Sequence, residues 1–246
     1  MTQHHPTVKD LAPLSNVASL LQAVKEAMAD CQDLGGFFVA FYGHAGYGKT
    51  SACNYVRGKV RGYRVECCDH WTRKSLLQAI LFEMSIPAKG SINDMFVNVV
   101  EQLKNSRRPL ILDEADHVAK ASMIEMVRNI MDKSGVPVIL SGEEMLVKKL
   151  EQWERAHSRI LKPVPALPAD MNDLTLLANI YCPGVQISSD WLAELHKQTG
   201  GNTRRVVVNL NRAKNEAGYL SGKIDLATWG ERGWYTGKTP APRRAV

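Results

Sequence analysis

Apolar and polar positions alternate along the first two thirds of the chain in a way that predicts strands separated by helices. Four short apolar runs are typical of buried strands: 37–42, 63–68, 109–113 and 136–141. Apolar residues at helical spacing predict helices over 74–85, 92–105 and 121–133. Because strands that alternate with helices build parallel sheets covered on both faces, the pattern predicts an α/β fold.

An amphipathic helix is predicted before the first strand. Apolar residues follow helical spacing over 14–30, and Ser15 or Asn16 is a suitable cap at its start. A glycine-rich turn follows the first strand, and residues 50–60 continue as a helix. Strand, turn and helix therefore form one βα unit.

The character of the sequence changes after residue 163. Three prolines in 163–168 predict a linker, and three helices are predicted beyond it, over 173–181, 189–200 and 203–220. Ser188 or Ser189 is a suitable cap for the second of these helices, and Gly200 with Gly201 is a suitable stop. Four regions are predicted: an N-terminal segment with an amphipathic helix (1–36), an α/β base (37–162), a small C-terminal helical lid (163–222) and a basic and aromatic tail (223–246).

Composition restricts the class of protein. Of 246 residues, 45% are hydrophobic and 23% are charged, which is the balance of a folded globular chain. The five cysteines are odd in number and lack C-x-x-C spacing, which fits neither a disulfide framework nor a zinc ribbon and favours reduced thiols. The first residues contain no apolar signal region and no apolar stretch reaches the ~18 residues that span a bilayer, so we expect a cytoplasmic protein.

The net charge of +6 is concentrated towards the end of the chain. The last 47 residues contain nine Lys and Arg against three Asp and Glu, while the preceding 199 residues contain 22 of each sign. A basic segment of this kind is either a solubilising tail or a surface that binds a polyanion, and composition leaves both readings open.

A glycine-rich loop directly after the first strand has the spacing of a phosphate-binding loop. The expected nucleotide-binding residues are Gly43, His44, Ala45, Gly46, Tyr47, Gly48, Lys49, Thr50 and Ser51, of which the first eight match G-x-x-x-x-G-K-[ST]. Glycines let backbone N–H groups point at phosphate oxygens, and the N-terminus of the next helix adds its dipole. We expect Lys49 to reach the β- and γ-phosphates and the Thr50 hydroxyl to ligate Mg²⁺.

Adjacent carboxylates end the third predicted strand. Asp113 is placed to hold Mg²⁺ through water, and Glu114 is placed to polarise an attacking water as general base. The presence of both favours hydrolysis over phosphate transfer to a small molecule, because a kinase needs no water-activating base. Asp116 is expected to be a solvated or capping residue.

Together these motifs resemble those of the AAA+ ATPases, over roughly residues 15–220. The resemblance implies an AAA+ P-loop NTPase fold with ATP and Mg²⁺ as cofactors. Ser141 resembles sensor 1, which orients the water or the γ-phosphate, and Arg204 resembles sensor 2, which reaches the γ-phosphate from the lid. Arg159 resembles the arginine finger that serves the ATP of a neighbouring subunit, with Arg155 as the alternative, and a finger supplied in trans implies an oligomer.

Within the AAA+ proteins, residues 68–84, 139–146 and 200–204 look like those of the transposition ATPases, the phage Mu B protein and its relatives TnsC, TniB and IstB. This resemblance implies that ATP-loaded protein binds duplex DNA with little sequence preference, forms rings or helical filaments on it and delivers it to a transposase. It also implies a phage or mobile-element protein in a bacterial host. The ~36 residues before the first strand are too few for the helix-turn-helix domain of the Mu protein, so DNA binding is expected from the AAA+ module, with the basic tail as a further candidate.

The expected DNA contacts are Thr72, Arg73 and Lys74, where a hydroxyl, two cations and a helix N-terminus suit phosphate. Trp71 beside them either stacks on a base or packs in the core. Further candidates are Lys104, Arg107, Arg108 and Lys120.

Two other functions share these motifs. A helicase loader for DNA replication would use the same fold but bind single strands and a hexameric helicase. A non-DNA scaffold or signalling ATPase would show no stimulation by DNA.

Overall fold

The computed structural model describes residues 14–219 and 222–237, apart from the side chains of 32–34. Two compact units divide the chain, one ending at Leu167 and the other starting at Pro168. None of the helices in the described ranges is long and apolar enough to cross a membrane.

The first unit is built on a five-stranded parallel sheet. In chain order its strands are β1 (Phe38–Tyr42), β2 (Tyr63–Glu66), β3 (Leu110–Asp113), β4 (Val138–Gly142) and β5 (Ile160–Pro165). Their spatial order is β2-β3-β4-β1-β5, and every neighbouring pair is parallel. The predicted α/β class is therefore confirmed, and all strands end at the same edge of the sheet.

Helices cover both faces of this sheet. In chain order they are α1 (Ser15–Leu34), α2 (Lys49–Val60), α3 (Arg73–Glu83), α4 (Ile92–Ser106), α5 (Ala121–Ser134), α6 (Leu146–Glu151) and α7 (Glu154–His157), with a 3-10 turn at Ala115–His117. Seven buried strand residues pack in one cluster with α3, α4 and α5: Phe38, Tyr63, Val65, Leu110, Leu112, Val138 and Leu140. Successive side chains of a strand point to opposite faces of the sheet. The residues between these, Val39, Ile111 and Ile139, are also fully buried, because helices α1 and α2 cover the other face.

Helix α1 begins without a side-chain cap. Leu14 occupies the N-cap position, so the expectation of a cap at Ser15 or Asn16 is wrong. The Asn16 amide instead donates to the carbonyls of Tyr47 at 3.0 Å and Leu167 at 2.8 Å, while its oxygen accepts from the Leu167 N–H at 2.9 Å. These tertiary hydrogen bonds outcompete local capping and attach α1 to the glycine-rich loop.

Strand β5 includes part of the expected linker. Pro163 and Pro165 pair with Ala40 and Tyr42 of β1, so residues 163–165 form an edge strand where the sequence predicted a linker. Proline lacks the N–H that a central strand needs, but β5 has a neighbour on one side only, where its missing donors cost little.

The second unit contains the three predicted helices, α8 (Met171–Tyr181), α9 (Ser189–Thr199) and α10 (Thr203–Ala217). The Ser188 side chain caps α9 by accepting from the Trp191 N–H, and Gly200 ends it with φ 58°. A two-stranded parallel sheet, β6 (Gln186–Ile187) and β7 (Lys223–Ile224), and the short helix α11 (Leu226–Trp229) complete this unit.

Residues 223–237, which the sequence assigned to the tail, pack against these helices. Trp229 is buried, and the rings of Trp191, Trp229 and Trp234 lie 5.0–5.4 Å apart. The fully buried Asn209 holds Tyr235 by its backbone, since its amide donates to the Tyr235 carbonyl and its oxygen accepts from the Tyr235 N–H, both at 2.9 Å. The basic residues Lys238, Arg243 and Arg244 lie outside the described residues.

Asn209→Ala is expected to lower the free energy of unfolding of the second unit by about 2–3 kcal/mol, because three hydrogen bonds of a buried amide are lost, the third being to the Arg205 carbonyl. Urea unfolding followed by tryptophan fluorescence measures this, since three indoles lie in this unit. Asn211→Ala, an exposed change on the same helix, is the control. Equal midpoints for the two variants would contradict the role of Asn209.

Candidate functional site

The glycine-rich loop leaves β1 at Tyr42 and enters α2 at Lys49. Gly46 and Gly48 have φ 86° and 80°, a left-handed conformation that side chains disfavour. At Gly43 a Cβ atom would lie 2.7 Å from the Ala166 carbonyl oxygen, so a side chain is excluded there by close packing. The three glycines are thus required by the path of the backbone, as the sequence motif implies.

Lys49 lies at the start of α2 with its ammonium group held over the loop. Its Nζ donates to the carbonyls of Gly43 at 2.6 Å and His44 at 3.1 Å.

Thr50 and Ser51 are exposed in the first turn of α2, and Tyr47 is half-buried with its ring 5.5 Å from that of His44. His44, exposed like Ala45, contacts the Glu144 carboxylate through its Nδ1. Cation, hydroxyl and helix N-terminus therefore converge, which is the arrangement that binds phosphate.

Asp113 ends β3 with its carboxylate almost fully buried. One oxygen, Oδ1, accepts from the Ser141 hydroxyl at 2.8 Å and the Glu114 N–H at 3.2 Å, and Oδ2 accepts from Arg64 Nη2 at 2.6 Å. Ser141 and Arg64 come from β4 and β2, the two neighbours of β3. Sequence reasoning named Asp113 and Ser141 but missed Arg64, whose signal is a pair of opposite charges, Arg64 and Glu66, at alternate positions of one strand.

Ser141 is fully buried and hydrogen-bonds to the Asp113 carboxylate. Its hydroxyl donates to Asp113, whereas the sequence led us to expect a residue that orients water or the γ-phosphate. The thiol of Cys53 lies close by, and burial, followed by the negative charge of Asp113, raises its pKa to about 12. Cys53 therefore stays protonated and adds no charge to this cluster.

Glu114 adopts a left-handed backbone conformation with φ 53° and ψ 42°. Burial raises the pKa of its half-buried carboxyl, and the adjacent charge of Asp113 raises it further, while Lys49 opposes the shift. A carboxylate with a raised pKa accepts a proton more readily than an ordinary glutamate does, which suits a general base.

Asp116 is not the solvated or capping residue that we expected, because only 8% of its side chain is exposed. It accepts from the Glu143 N–H at 2.6 Å and from Lys149 Nζ at 2.7 Å. A Cβ atom on Gly142 would lie 2.2 Å from Asp116 Oδ2, so glycine is needed for this approach. Asp116 thus joins the turn after β3 to the loop after β4.

The donor set at this edge fits Mg²⁺. The available ligands are the Thr50 hydroxyl and the Asp113 carboxylate, and Mg²⁺ prefers oxygen ligands together with water and substrate phosphates. Within the described residues no cluster of three or more His, Cys, Asp or Glu is placed to hold a metal ion. The residues present therefore fit a metal ion that arrives with the nucleotide.

The three candidate arginines are all exposed. Arg159 immediately precedes β5, with its Nε 3.2 Å from Asp132 Oδ1, and Arg155 lies on α7. Arg204 lies in the first turn of α10, and this turn contains no acidic residue. A cation at a helix N-terminus opposes the helix dipole, so folding alone does not favour an arginine there.

The expected DNA contacts lie at the start of α3. Thr72 is its N-cap and accepts from the Ser75 N–H at 3.2 Å, and Arg73 and Lys74 are exposed in the first turn. Trp71 packs against the hydrophobic core, so packing is the reading that the structure supports. Lys120 donates to the Asp69 carbonyl at 2.9 Å and lies at the same edge of the sheet.

The other basic candidates lie at the opposite edge, because Lys104, Arg107 and Arg108 precede β3. Arg108 lies over the Tyr63 ring, 3.9 Å from its centroid, and donates to the Arg61 carbonyl. These contacts account for Arg108 without DNA.

Comparison with known proteins finds one matching family model and several similar folds. Residues 34–150 match the family model of an AAA domain. The fold is similar to that of the Aeropyrum pernix ORC2 protein solved as ADPNP–ADP complexes (TM-score 0.63, 14% identity, 86% of this chain and 64% of that one). It is also similar to Aeropyrum pernix ORC1 in complex with DNA (TM-score 0.64, 18% identity, 90% of this chain and 67% of that one). A third similar fold is the Thermotoga maritima RuvB Holliday junction branch migration motor (TM-score 0.57, 18% identity, 87% of this chain and 66% of that one).

The chain spans about two thirds of the length of these solved structures. A comparison with curated proteins found no match. At these identities the similarity shows the fold, so the chain has the AAA+ P-loop NTPase fold that the motifs predicted.

Asp116→Ala is expected to lower the free energy of unfolding of the first unit by about 1–3 kcal/mol and to slow ATP turnover, because the turn after Glu114 loses its attachment to the β4 loop. Urea unfolding followed by circular dichroism, together with phosphate release, measures both effects. Glu143→Ala is the control, since Glu143 contributes only its backbone N–H to this contact. Identical behaviour of the two variants would refute the role of Asp116.

Proposed function

We propose that this chain is a Mg²⁺-dependent ATP hydrolase that binds duplex DNA with little sequence preference, oligomerises on it and delivers it to a transposase. The observation that carries the hydrolase part is the meeting of Lys49, Asp113 and Glu114 at one edge of the parallel sheet. Phosphate binding, metal binding and water activation each have a residue of suitable chemistry there.

In this proposal each residue acts at a stated group. The backbone N–H groups of the loop and Lys49 bind the phosphates, and Thr50 and Asp113 hold Mg²⁺, which neutralises phosphate charge when bound. Glu114 takes a proton from the attacking water. Arg159 of a neighbouring subunit and Arg204 stabilise the charge that develops on the γ-phosphate, so the active form is an oligomer.

Duplex DNA is assigned to the start of α3. Arg73 and Lys74 oppose the dipole of their own helix, a placement that becomes favourable when a phosphate binds. The structures similar in fold include an ORC1 protein in complex with DNA and a Drosophila ORC bound to DNA, which supports DNA as a ligand here. Delivery to a transposase rests on the resemblance of residues 68–84, 139–146 and 200–204 to the transposition ATPases.

A helicase loader is the second candidate, and the similarity in fold to a CDC6 protein of Pyrobaculum aerophilum favours it. Electron microscopy with duplex DNA and a non-hydrolysable ATP analogue tests the proposal directly. Rings or filaments on duplex DNA support it. Assembly on single strands alone favours the loader, and an ATPase that no DNA stimulates favours a scaffold or signalling ATPase.

Arg73→Glu combined with Lys74→Glu is expected to weaken duplex binding at least about tenfold and to make its salt dependence shallower, because phosphate contacts are lost. Fluorescence anisotropy with ATP analogue, from low to physiological salt, measures both. Lys104→Glu combined with Arg107→Glu makes the same change of charge at the opposite edge of the sheet and should have little effect. Equal losses in the two double variants would show that net charge, and not this site, governs binding.

Glu114→Gln and Arg159→Ala are each expected to slow ATP hydrolysis at least about 100-fold, since one lacks the base and the other the finger. Mixing them in equal amounts should restore about a quarter of the wild-type rate, because about one interface in four then joins an intact base to an intact finger. Arg155→Ala is the matched variant and is mixed with Glu114→Gln in the same way. If this mixture recovers activity and the mixture with Arg159→Ala does not, Arg155 is the finger. Wild-type turnover per subunit that does not change on dilution would contradict a finger supplied in trans.

A further inference from the structure

The guanidinium of Arg64 lies between two carboxylates of unequal exposure. Its Nη2 is 2.6 Å from Asp113 Oδ2 and 3.2 Å from Glu66 Oε2. Asp113 is 2% exposed, Arg64 14% and Glu66 64%. The same cation thus has one buried partner, Asp113, and a second partner, Glu66, in contact with solvent.

The strand geometry explains this placement. Arg64 and Glu66 are two residues apart on β2, so their side chains leave the same face of the sheet. Glu66 is in register with Asp113 on β3, so all three groups share that face. A small movement of the guanidinium therefore changes its partner without any change in the backbone.

Arg64 engages the oxygen of Asp113 that its other donors leave free. Oδ1 already accepts from Ser141 and from the Glu114 N–H, which fix the carboxylate without help from Arg64. A buried ion pair is weak evidence for a role in stability, because desolvation offsets much of the attraction. The cation at Oδ2 has one clear electrostatic effect, which is to reduce the attraction of Asp113 for another cation.

We propose that Arg64 is a positioning residue that competes with Mg²⁺ for Asp113, and that its guanidinium passes to Glu66 when the metal binds. The inference rests on the proposed nucleotide site. Without nucleotide, the metal ion meets an Asp113 carboxylate whose charge is balanced by the Arg64 guanidinium, so it binds weakly. Nucleotide phosphates add negative charge beside Asp113, and this strengthens the attraction of the site for the metal ion. Metal and nucleotide then load as one unit.

Binding of Mn²⁺ to the full chain, followed by electron paramagnetic resonance of the free ion, tests this with and without saturating ADP. Arg64→Met should bind Mn²⁺ alone at least about tenfold more tightly than wild type, because a positive charge is removed from beside the ligand. Arg64→Lys, which keeps the charge, should bind like wild type. Arg57→Gln is the matched control, since Arg57 forms an equally short pair with Glu83 without contacting Asp113.

Glu66→Gln keeps the test decisive if Arg64→Met does not fold, since Glu66 is exposed. This variant leaves the guanidinium with Asp113 alone, so Mn²⁺ should bind a few fold more weakly, and unchanged or tighter binding would overturn the exchange of partners. Where Arg64→Met does fold, adding it to Glu66→Gln should remove the effect. A persistent effect of Glu66→Gln in the double variant would mean that Glu66 acts on the metal directly and would overturn the exchange of partners.

Unchanged or weaker Mn²⁺ binding by a folded Arg64→Met protein overturns the competition while leaving the proposed function intact. Wild-type protein that binds no Mn²⁺ even with ADP overturns both, because no metal site then exists. Tighter binding by Arg64→Met, with Arg64→Lys and Arg57→Gln like wild type, supports the inference.

Discussion

The parallel pairing of β2, β3, β4 and β1 is the constraint on which the candidate site depends. Parallel strands end at the same edge of a sheet, so residues that are far apart in the chain are brought together wherever each strand stops. Leu112 of β3 is in register with Leu140 of β4, which places the next residues, Asp113 and Ser141, side by side. The glycine-rich loop follows β1 at this edge, next to β4.

Within this frame, the burial of Asp113 determines the electrostatics of the site. A buried carboxylate needs donors, and it receives them from β2, from β4 and from the backbone of Glu114. Burial raises the pKa of Glu114, and the negative charge of the adjacent Asp113 raises it further. Two adjacent carboxylates thereby acquire different properties, one fixed by hydrogen bonds and one able to accept a proton.

The same edge also links the site to the surface proposed for DNA. Lys120 follows the turn that carries Glu114, and it donates to the carbonyl of Asp69 in the loop that leads to Arg73 and Lys74. On the other side, Asp116 joins that turn to the loop after β4. The short segment from Glu114 to Lys120 and the Lys120–Asp69 hydrogen bond thus connect the proposed base to the loop before the proposed DNA surface.

How much of this could be read from the sequence depends on the range of the interactions. The loop from Gly43 to Thr50 and the pair Asp113–Glu114 are identified from the sequence because their geometry is local: glycine freedom, a helix N-terminus and the end of an apolar strand are encoded within a few residues. The first four strands and the long helices follow from apolar periodicity for the same reason. Strand β5 was missed because its prolines are tolerated only at an edge, and the pattern alone does not tell which strand lies at an edge.

The sequence by itself determined the α/β class, the position of the glycine-rich loop and the carboxylate pair. Tertiary structure alone decided that Arg64 and Ser141 hold Asp113, that Asp116 is buried against Gly142, that Asn16 bonds to the loop rather than capping its helix, and that Asn209 binds the backbone of Tyr235. Each of these contacts joins residues at least 26 positions apart. The order and register of the strands and the packing of the helices determine such contacts, and local spacing carries no record of them.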